Sequence, residues 1–417
     1  MRIELPGVFY GWIVVAAAFA VTFVGFGSAY TFSAFVEPLQ RDFAASRGSV
    51  SLVFSLAGFL YFSFGVLSGP LADRWGSRRL SIVGMALVGA GLCAAGLAHT
   101  LAEIYVAYGL GIGLGVGCSY VPALGAVQRW FVKRRGLASG LAVSGIGVGT
   151  LVMPPLAALL VARLGWRHAY LALGLLAAAV GVGMALLIEN DPRDRGLAPD
   201  GDPLQSDVPA ALPPGISVRE ALRSRRFVGL YAACSISAFG LFVPFVHLIP
   251  FALDHGIRQS SAVLLLGAVG VGSTAGRFLL GGLADQLGRE RTLLLMFAGM
   301  ALALFCWIFS TAYWGMAAFA LGYGVFYGGF VAVLPALVMD YFGGRHVSSI
   351  IGVLYTSIAV GTLIGPSAAG FAFDWSGSYR LPILIGVVGN GIAALIMARM
   401  STWALRKPAP SSKGAFR

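Results

Sequence analysis

Long apolar runs are the feature that most constrains how this chain can fold. They recur at roughly 20 residues each, the length at which a helix crosses the hydrocarbon core of a bilayer. Only 11% of the residues are charged, whereas a soluble domain carries about 25%, so polar groups cannot cover a globular surface. Backbone groups in lipid must pair within the protein, and no strand-like alternation is present. The sequence therefore predicts an all-α membrane protein.

Twelve spans can be drawn between charged or Gly/Pro-rich breaks. They fall at 11–35, 50–72, 80–98, 103–127, 136–160, 167–188, 227–252, 260–283, 292–311, 315–338, 346–370 and 379–400. One long polar break, from Asn190 to Arg226, separates six spans from six. We therefore predict a six-helix N-terminal half at 1–189, a linker at 190–226, a six-helix C-terminal half at 227–403 and a tail at 404–417.

The basic residues are distributed unevenly between the loops. With the N-terminus placed in the cytoplasm, 22 of the 29 Lys and Arg residues fall on that side of the membrane and 6 on the other. An excess of Lys and Arg marks cytoplasmic loops, so we expect a multi-pass protein with both termini in the cytoplasm. The net charge of +12 thus predicts topology and not a nucleic-acid partner.

An internal repeat relates the two halves. The pattern G-x-x-x-D-x-x-G-x-x-R begins at Gly69 and again at Gly281, and V-G-T-L-x-x-P begins at Val148 and again at Val360. Both pairs are 212 residues apart. A shared offset indicates duplication of a six-span unit in parallel orientation, which places a substrate site between the halves near the middle of the membrane.

The first copy of the glycine pattern resembles the signature between the second and third helices of the major facilitator superfamily. The resemblance implies twelve transmembrane helices in two pseudo-symmetric six-helix halves. It also implies a gating role for this loop, whose Asp is held in that family to interact with the cytoplasmic end of the eleventh helix, where a helix N-terminus favours an anion. The alternative is that these charges only set topology. The matching residues are Gly69, Asp73, Arg74, Gly76, Arg78 and Arg79, with Asp285, Gly288 and Arg291 in the second copy.

A second segment resembles the fifth-helix signature of the monocarboxylate transporters. It reads W-F-x-K-R-R-x-L-A-x-G-x-A-x-S-G from Trp130 to Gly145, and Y-G-W at Tyr10 partly resembles that family's first-helix signature. Its small residues allow close approach of helices. The resemblance implies a bacterial member of this family, related to oxalate–formate exchangers, that acts in the bacterial inner membrane as a monomer.

One charge lies inside a predicted span. Arg277 is eight residues from Asp285, about 12 Å along a helix. A charge at this depth is costly, faces the bundle interior or a water-filled cavity, and by default marks a functional path. Snorkelling towards the cytoplasm and pairing with a buried carboxylate remain the alternatives. We expect Arg277 to bind an anion.

The monocarboxylate transporters also carry a membrane-embedded Arg in the eighth helix, usually with an Asp one turn earlier that is thought to take part in proton coupling. Ser273 occupies that position here. The first span lacks the Lys of animal members, and the eleventh lacks the second cation of oxalate exchangers. One fixed positive charge best matches one carboxylate, since a dianion would leave a charge unpaired at low dielectric.

Other side chains at suitable depth complete the expected site. Tyr120, Tyr327 and Asn390 offer hydrogen bonds to a carboxylate or hydroxyl, and Phe330 offers an apolar wall; the alternative for each is an interhelical contact. His247 is flanked by prolines, and a free imidazole has a pKa of about 6.5. We expect it to carry a coupled proton or to bind the substrate, with a structural histidine near the outer surface as the alternative.

Together these features predict a secondary active transporter of small monocarboxylates such as lactate or pyruvate, with proton symport by alternating access. Its partners are the acid, protons and the lipid bilayer. An oxalate/formate-type anion exchanger is the first alternative, and a drug exporter or a non-transporting membrane sensor is weaker. The sequence offers no nucleophile–base pair and no Cys/His metal spacing, so we expect neither enzyme activity nor a metal or other cofactor.

Overall fold

The computed structural model describes residues 9–131, 134–201, 215–343 and 347–405. Within these ranges the α-helices are α1 (Tyr10–Tyr30), α2 (Val36–Phe43), α3 (Arg47–Trp75), α4 (Ser77–Gly96), α5 (Leu101–Trp130), α6 (Arg135–Leu176), α7 (Gly183–Ala185), α8 (Val218–Arg223), α9 (Arg225–Leu241), α10 (Val243–Asp254), α11 (Gln259–Leu287), α12 (Arg289–Phe309), α13 (Tyr313–Phe342), α14 (Val347–Ser376) and α15 (Arg380–Leu405). A π-helix, Ala177–Val182, joins α6 to α7, and 3-10 turns occupy Thr31–Ala34, Pro192–Arg195 and Pro199–Gly201.

The predicted fold class is confirmed. Eleven helical segments of the described chain are long and apolar enough to cross a membrane. One of them, Leu137–Ala185, contains two spans, because Gly165 has a non-helical backbone (φ 77°, ψ 161°). In contrast, α9 and α10 form a single span that bends at Phe242. The chain is an all-α membrane protein.

An even number of spans places the two ends of the described chain on the same face of the bundle. We call this face, which also carries residues 183–201 and 215–224, the linker side. The opposite face, which carries α2 and the first residues of α3, is the distal side. Arg277 lies ten residues before the linker-side end of α11, about 15 Å along the axis.

The internal repeat extends to backbone conformations that the sequence pattern did not reveal. Left-handed or related positive-φ residues recur at the same offset of 212 positions. In each half they end the helix before a turn, so corresponding turns have corresponding backbones. The three pairs are Ala44 with Gly256, Gly76 with Gly288, and Gly165 with Gly377.

Two helix pairs join the halves: α3 packs on α14, and α6 packs on α11. Glycines allow the backbones to approach. A Cβ atom added at Gly370 would lie 2.6 Å from the Cα of Gly48, and one added at Gly147 would overlap Thr274. Small residues at such crossings give close van der Waals packing where lipid supplies no hydrophobic drive. A cavity lies between the halves that these crossings join, and it is lined by residues of α1, α3, α5, α6, α9, α13 and α14, with Phe242 at the bend between α9 and α10.

Candidate functional site

The Arg277 side chain stays inside the bundle. It is 4% exposed, and its Nη1 donates to the Oγ of Ser273 at 3.0 Å and to the carbonyl of Ser273 at 3.2 Å. Ser273 lies one turn earlier on α11, so the guanidinium points back towards the middle of the helix, as helical side chains tend to. Snorkelling towards the linker side does not occur in this structure.

The remaining guanidinium nitrogens are the unusual feature of this site. Nε and Nη2 of Arg277 are buried without a hydrogen-bond partner among the residues that the structure describes. Leaving buried donors unsatisfied costs about 1–3 kcal/mol each, and more for a charged group. These two atoms lie on one edge of the guanidinium, the arrangement that receives both oxygens of a carboxylate.

Arg277 also touches the opposite half of the bundle. A Cβ added at Gly147, on α6, would lie 2.8 Å from Nη1 of Arg277. Glycine at this position lets a cation on α11 approach the backbone of α6. The guanidinium group is therefore at the boundary between the halves.

Tyrosines surround this charge from both halves. The hydroxyls of Tyr30, on α1, and Tyr327, on α13, are hydrogen-bonded at 3.1 Å. Tyr120, on α5, interacts with Tyr355, on α14. Tyr30, Tyr120 and Tyr327 are the groups that act electrostatically on Arg277. The sequence signal for Tyr30 was its position as a lone phenol in the first span, and Tyr355 carried no comparable signal.

An apolar cavity opens between the halves beside these tyrosines. Its empty space, counted up to the open mouth, is about 410 Å³, and the part wide enough to hold ordered water is about 30 Å³. Three of the predicted site residues, Tyr120, Tyr327 and Phe330, line it. Its aromatic lining residues are Phe26, Phe62, Tyr120, Phe242, Tyr327, Phe330 and Tyr355.

Asn390 is placed elsewhere. It is fully buried on α15, where its Oδ1 accepts from Ser237 Oγ at 2.7 Å and its Nδ2 donates to the carbonyl of Gly386 at 2.9 Å. Ser237 is on α9, so this bond ties α15 to α9. Asn390 is outside the cavity lining, in the interhelical position given above as its alternative.

His247 is fully buried on the distal side and is also outside the cavity lining. Its Nε2 lies 2.8 Å from the carbonyl of Pro366 and its Nδ1 lies 3.0 Å from the hydroxyl of Tyr379. Since a carbonyl only accepts, Nε2 carries a proton, and Nδ1 of the neutral ring accepts from Tyr379. Both ring nitrogens are therefore occupied, and the structure does not bring His247 together with Arg277.

The same tyrosine belongs to a network that closes the distal side, which we call the distal latch (Arg47, Asp254, Asp374 and Tyr379). Arg47 Nη1 and Nη2 reach the two oxygens of Asp254 at 2.6 and 3.2 Å, and Nη1 also donates to Tyr379 at 3.0 Å. Asp374 accepts from the backbone N–H of Arg47 at 3.0 Å. The latch thus ties the first turn of α3 to α10, α14 and the start of α15.

The predicted gating motif lies on the linker side. Gly76 has φ 88° and ψ 143°, and Gly288 has φ 85° and ψ 140°. The side chains of Asp73 and Asp285 lie outside the described residues. Among the basic residues of the motif, Arg74, Arg79 and Arg291 are exposed. Arg78 is half-buried, and its backbone N–H donates to Asn190.

A linker-side crevice lies between Gly69 of α3, Gly125 of α5 and Ser349 of α14; its empty space is about 480 Å³, of which about 80 Å³ is wide enough for a water molecule. Gly69 is the first residue of the gating motif, so the motif begins at the boundary between the halves. The described structure is therefore latched on the distal side and grooved on the linker side.

The sequence is similar to known membrane proteins over nearly its whole length. Residues 17–283 and residues 230–417 each match the protein family described as the Major Facilitator Superfamily. Monocarboxylate transporter 11 of Mus musculus is 31% identical over 385 residues, which cover 90% of this chain and 84% of that protein. Monocarboxylate transporter 3 of Rattus norvegicus is 30% identical over 423 residues, which cover 97% and 84%.

The fold is likewise similar to a solved structure. That protein is described as a bacterial homolog to the human lysosomal transporter Spinster, in an inward-facing and unoccupied conformation. The two structures align with a TM-score of 0.72 over 98% of this chain and 100% of that one, at 16% sequence identity. At this identity the likeness concerns the fold alone.

Proposed function

Since this chain belongs to the major facilitator superfamily, and within it to a family like the monocarboxylate transporters, we propose that it carries a small monocarboxylate across the membrane and binds it at Arg277. It is a transporter and not an enzyme. Lactate and pyruvate are the first acids to test. The proposed movement is alternating access, in which the halves rock about the site between them.

The observation that carries this proposal is the edge of the Arg277 guanidinium formed by Nε and Nη2, which has no hydrogen-bond partner among the described residues. A carboxylate would satisfy both donors and neutralise the charge in one step. Tyr327 and Tyr120 would offer hydroxyl groups beside it, and Phe330 an apolar wall. We leave Asn390 out of the proposed site, because its amide is already bonded to Ser237.

Binding can be tested on purified protein by thermal stabilisation with acetate, lactate, pyruvate and oxalate. We expect the monocarboxylates to raise Tm, and Arg277→Gln to abolish the effect. Arg277→Lys keeps the charge but loses the two-pronged geometry, so it should weaken binding about tenfold. Stabilisation that persists in Arg277→Gln would contradict the proposal, and stabilisation by oxalate alone would replace the monocarboxylate by a dianion.

We further propose that a proton accompanies the acid, because acid plus proton moves no net charge. His247 is the proposed proton-linked residue, and its bond to Tyr379 places it beside the distal latch. It would then act on opening of the distal side and not on the substrate. An outside-acid pH gradient should accelerate lactate uptake into proteoliposomes, and His247→Gln should remove the acceleration while leaving Arg277-dependent binding intact. Uptake indifferent to the gradient would exclude symport.

An anion exchanger of the oxalate–formate type is the second proposal, and one observation favours it. Among the described residues no carboxylate faces Arg277, so the empty site carries an uncompensated buried charge, and closing around that charge is costly. A pure exchanger would take up labelled lactate only when unlabelled acid is loaded inside. Uptake into vesicles that contain no acid would exclude that reading.

The orientation and the gating motif complete the proposal. We place the linker side in the cytoplasm of a bacterial inner membrane, since it carries most of the basic residues, and take the monomer as the working unit. The motif residues Gly69, Asp73, Arg74, Gly76, Arg78 and Arg79, with Asp285, Gly288 and Arg291, are proposed to control closing of the linker-side crevice.

A further inference from the structure

Arg277 does not itself line the cavity; it adjoins the cavity through Tyr120 and Tyr327, which interact with the guanidinium and form part of the cavity wall. That wall is aromatic to a degree that a two- or three-carbon acid does not require. Its described lining consists of the seven aromatic residues named above and five aliphatic ones. The polar groups in that lining are the hydroxyls of Tyr120, Tyr327 and Tyr355. Ligand pockets that are mostly apolar with a few convergent polar groups bury most of the ligand surface, so the body of the ligand should be apolar.

The rings are arranged in the geometry that aromatic groups prefer towards one another. Phe26 meets Tyr120 with centroids 5.0 Å apart and planes at 84°. Phe62 meets Tyr355 at 5.8 Å and 76°. Edge-to-face pairs of this kind are worth about 0.5–1.5 kcal/mol beyond area burial. A further ring placed among them would find both faces and edges.

Several of these ring contacts join the two halves. Phe62, on α3, lies 5.7 Å from Phe242, which caps α9, and Tyr30, on α1, lies 4.7 Å from Phe245, on α10. Little of the space in the cavity, about 30 Å³, is wide enough for a water molecule. When the halves part to admit a ligand, these contacts are broken, and a ring on the ligand replaces them. A small polar acid would leave the separated rings without partners.

We infer that the preferred cargo is a monocarboxylate with an aromatic body, held with its carboxylate on Arg277 and its ring between Phe62, Phe242 and Tyr355. This inference rests on the proposed function, because it requires Arg277 to bind the carboxylate. It narrows the substrate within that class, from lactate-like acids to arylalkanoic acids.

Binding of acetate, lactate, phenylacetate and 2-phenylethanol to the purified full chain tests the inference. Phenylacetate should bind about 10- to 100-fold more tightly than acetate or lactate, the factor expected for burying one phenyl group. 2-Phenylethanol, which has the ring without the carboxylate, should bind weakly. Arg277→Gln should reduce the affinity for phenylacetate to about the affinity for 2-phenylethanol.

Phe62→Leu removes one ring from the cavity wall, and the leucine keeps that half-buried position apolar. It should lower the phenylacetate-to-acetate affinity ratio about threefold or more. Phe319→Leu is the matched control, because Phe319 is buried against Trp307 at 4.7 Å and is outside the cavity lining. If Phe62→Leu does not fold, Tyr355→Leu serves the same purpose.

Equal affinity for acetate, lactate and phenylacetate would overturn this inference and leave the proposed function standing. The inference would also be overturned if Phe62→Leu and Phe319→Leu changed the phenylacetate-to-acetate affinity ratio by the same factor. Equal binding of phenylacetate and 2-phenylethanol, or no binding by any acid, would overturn the proposed function itself.

Discussion

At the scale of single residues, the electrostatics of the site depend on the hydroxyl of Ser273, at the position where the resemblance to the monocarboxylate transporters implies an Asp. Ser273 Oγ accepts one hydrogen bond from Arg277 without bringing a charge. An Asp here would compete with the cargo for the guanidinium. The serine therefore leaves a full positive charge available for an anion.

Ser273→Asp should make binding depend on pH. With the carboxylate ionised, Arg277 is neutralised internally, and affinity for a monocarboxylate at pH 7.5 should fall by roughly tenfold or more, about 1.4 kcal/mol. As pH falls and the new Asp is protonated, the guanidinium is released and affinity should recover. Because the guanidinium favours the ionised form of the new Asp, titrations of ligand binding must extend from pH 8 down to about 4, towards the ordinary pKa of an Asp, to measure this effect.

Ser273→Asn is the control for that experiment, because it changes size and hydrogen bonding but adds no charge. Its affinity should stay flat over the same pH range. A parallel pH profile in the Asp and Asn variants would show that charge at this position does not matter.

At the scale of helices and turns, the repeat provides pairs of positions with the same backbone and different surroundings. Gly76 and Gly288 have nearly identical φ and ψ, in a region that costs a non-glycine residue about 1–3 kcal/mol. A Cβ at Gly76 would overlap the amide of Asn190, whereas a Cβ at Gly288 would meet nothing within 4 Å. Backbone strain and steric overlap can therefore be separated.

Gly76→Ala should lower Tm more than Gly288→Ala. Both variants carry the backbone strain, but only the first displaces Asn190, which accepts from the backbone N–H groups of Ser77 and Arg78. Thermal unfolding of the two variants measures the difference. In an Asn190→Ala background the two glycine variants should become equal, and a difference that persists there would contradict the steric explanation.

At the scale of the whole molecule, the distal latch holds the two halves together on one side. The side chains of Arg47 and Asp254 are 14% and 32% exposed, so this pair is screened less than a surface pair. Arg41 and Glu37 on α2, at 76% and 54% exposed, form a pair within one helix. Exposed pairs contribute about 0–1 kcal/mol, which makes the second pair a control for the first.

Arg47→Gln should shift the protein towards a distal-open state, whereas Arg41→Gln should not. A cysteine at Ser55, which bonds to Ser367 across the halves at 2.8 Å, reports the opening in a background free of native cysteines. A membrane-impermeant thiol reagent applied from the distal side should label it faster when Arg47 is replaced. Equal labelling in both variants would remove the latch from the gating of this side.

The sequence predicted the all-α membrane architecture, and three of the proposed site residues, Tyr120, Tyr327 and Phe330, line the cavity. Apolar run length and the shared offset led to the twelve spans, and the depth of Arg277 led to its burial between the halves. The ring nitrogens of His247 and the amide of Asn390 are occupied by Tyr379, Pro366 and Ser237. A linear sequence gives depth along a helix but not which face meets which neighbour, so these partners could not be predicted.

Two acids at corresponding positions of the repeat have different hydrogen-bond partners, and this affects how the halves move. Asp42 and Asp254 are 212 positions apart. Asp42 accepts from Trp166 and Arg167 of its own half at 2.8 Å, and these two bonds hold the pKa of its carboxyl below the usual range. Asp254 bonds instead to Arg47 of the other half. The repeat thus holds Asp42 within the N-terminal half, whereas its counterpart Asp254 bonds across the halves. Parting the halves on the distal side therefore breaks the bonds of Asp254 and leaves those of Asp42 in place. We expect the movement on that face to be asymmetric, with rearrangement around Asp254 and not around Asp42.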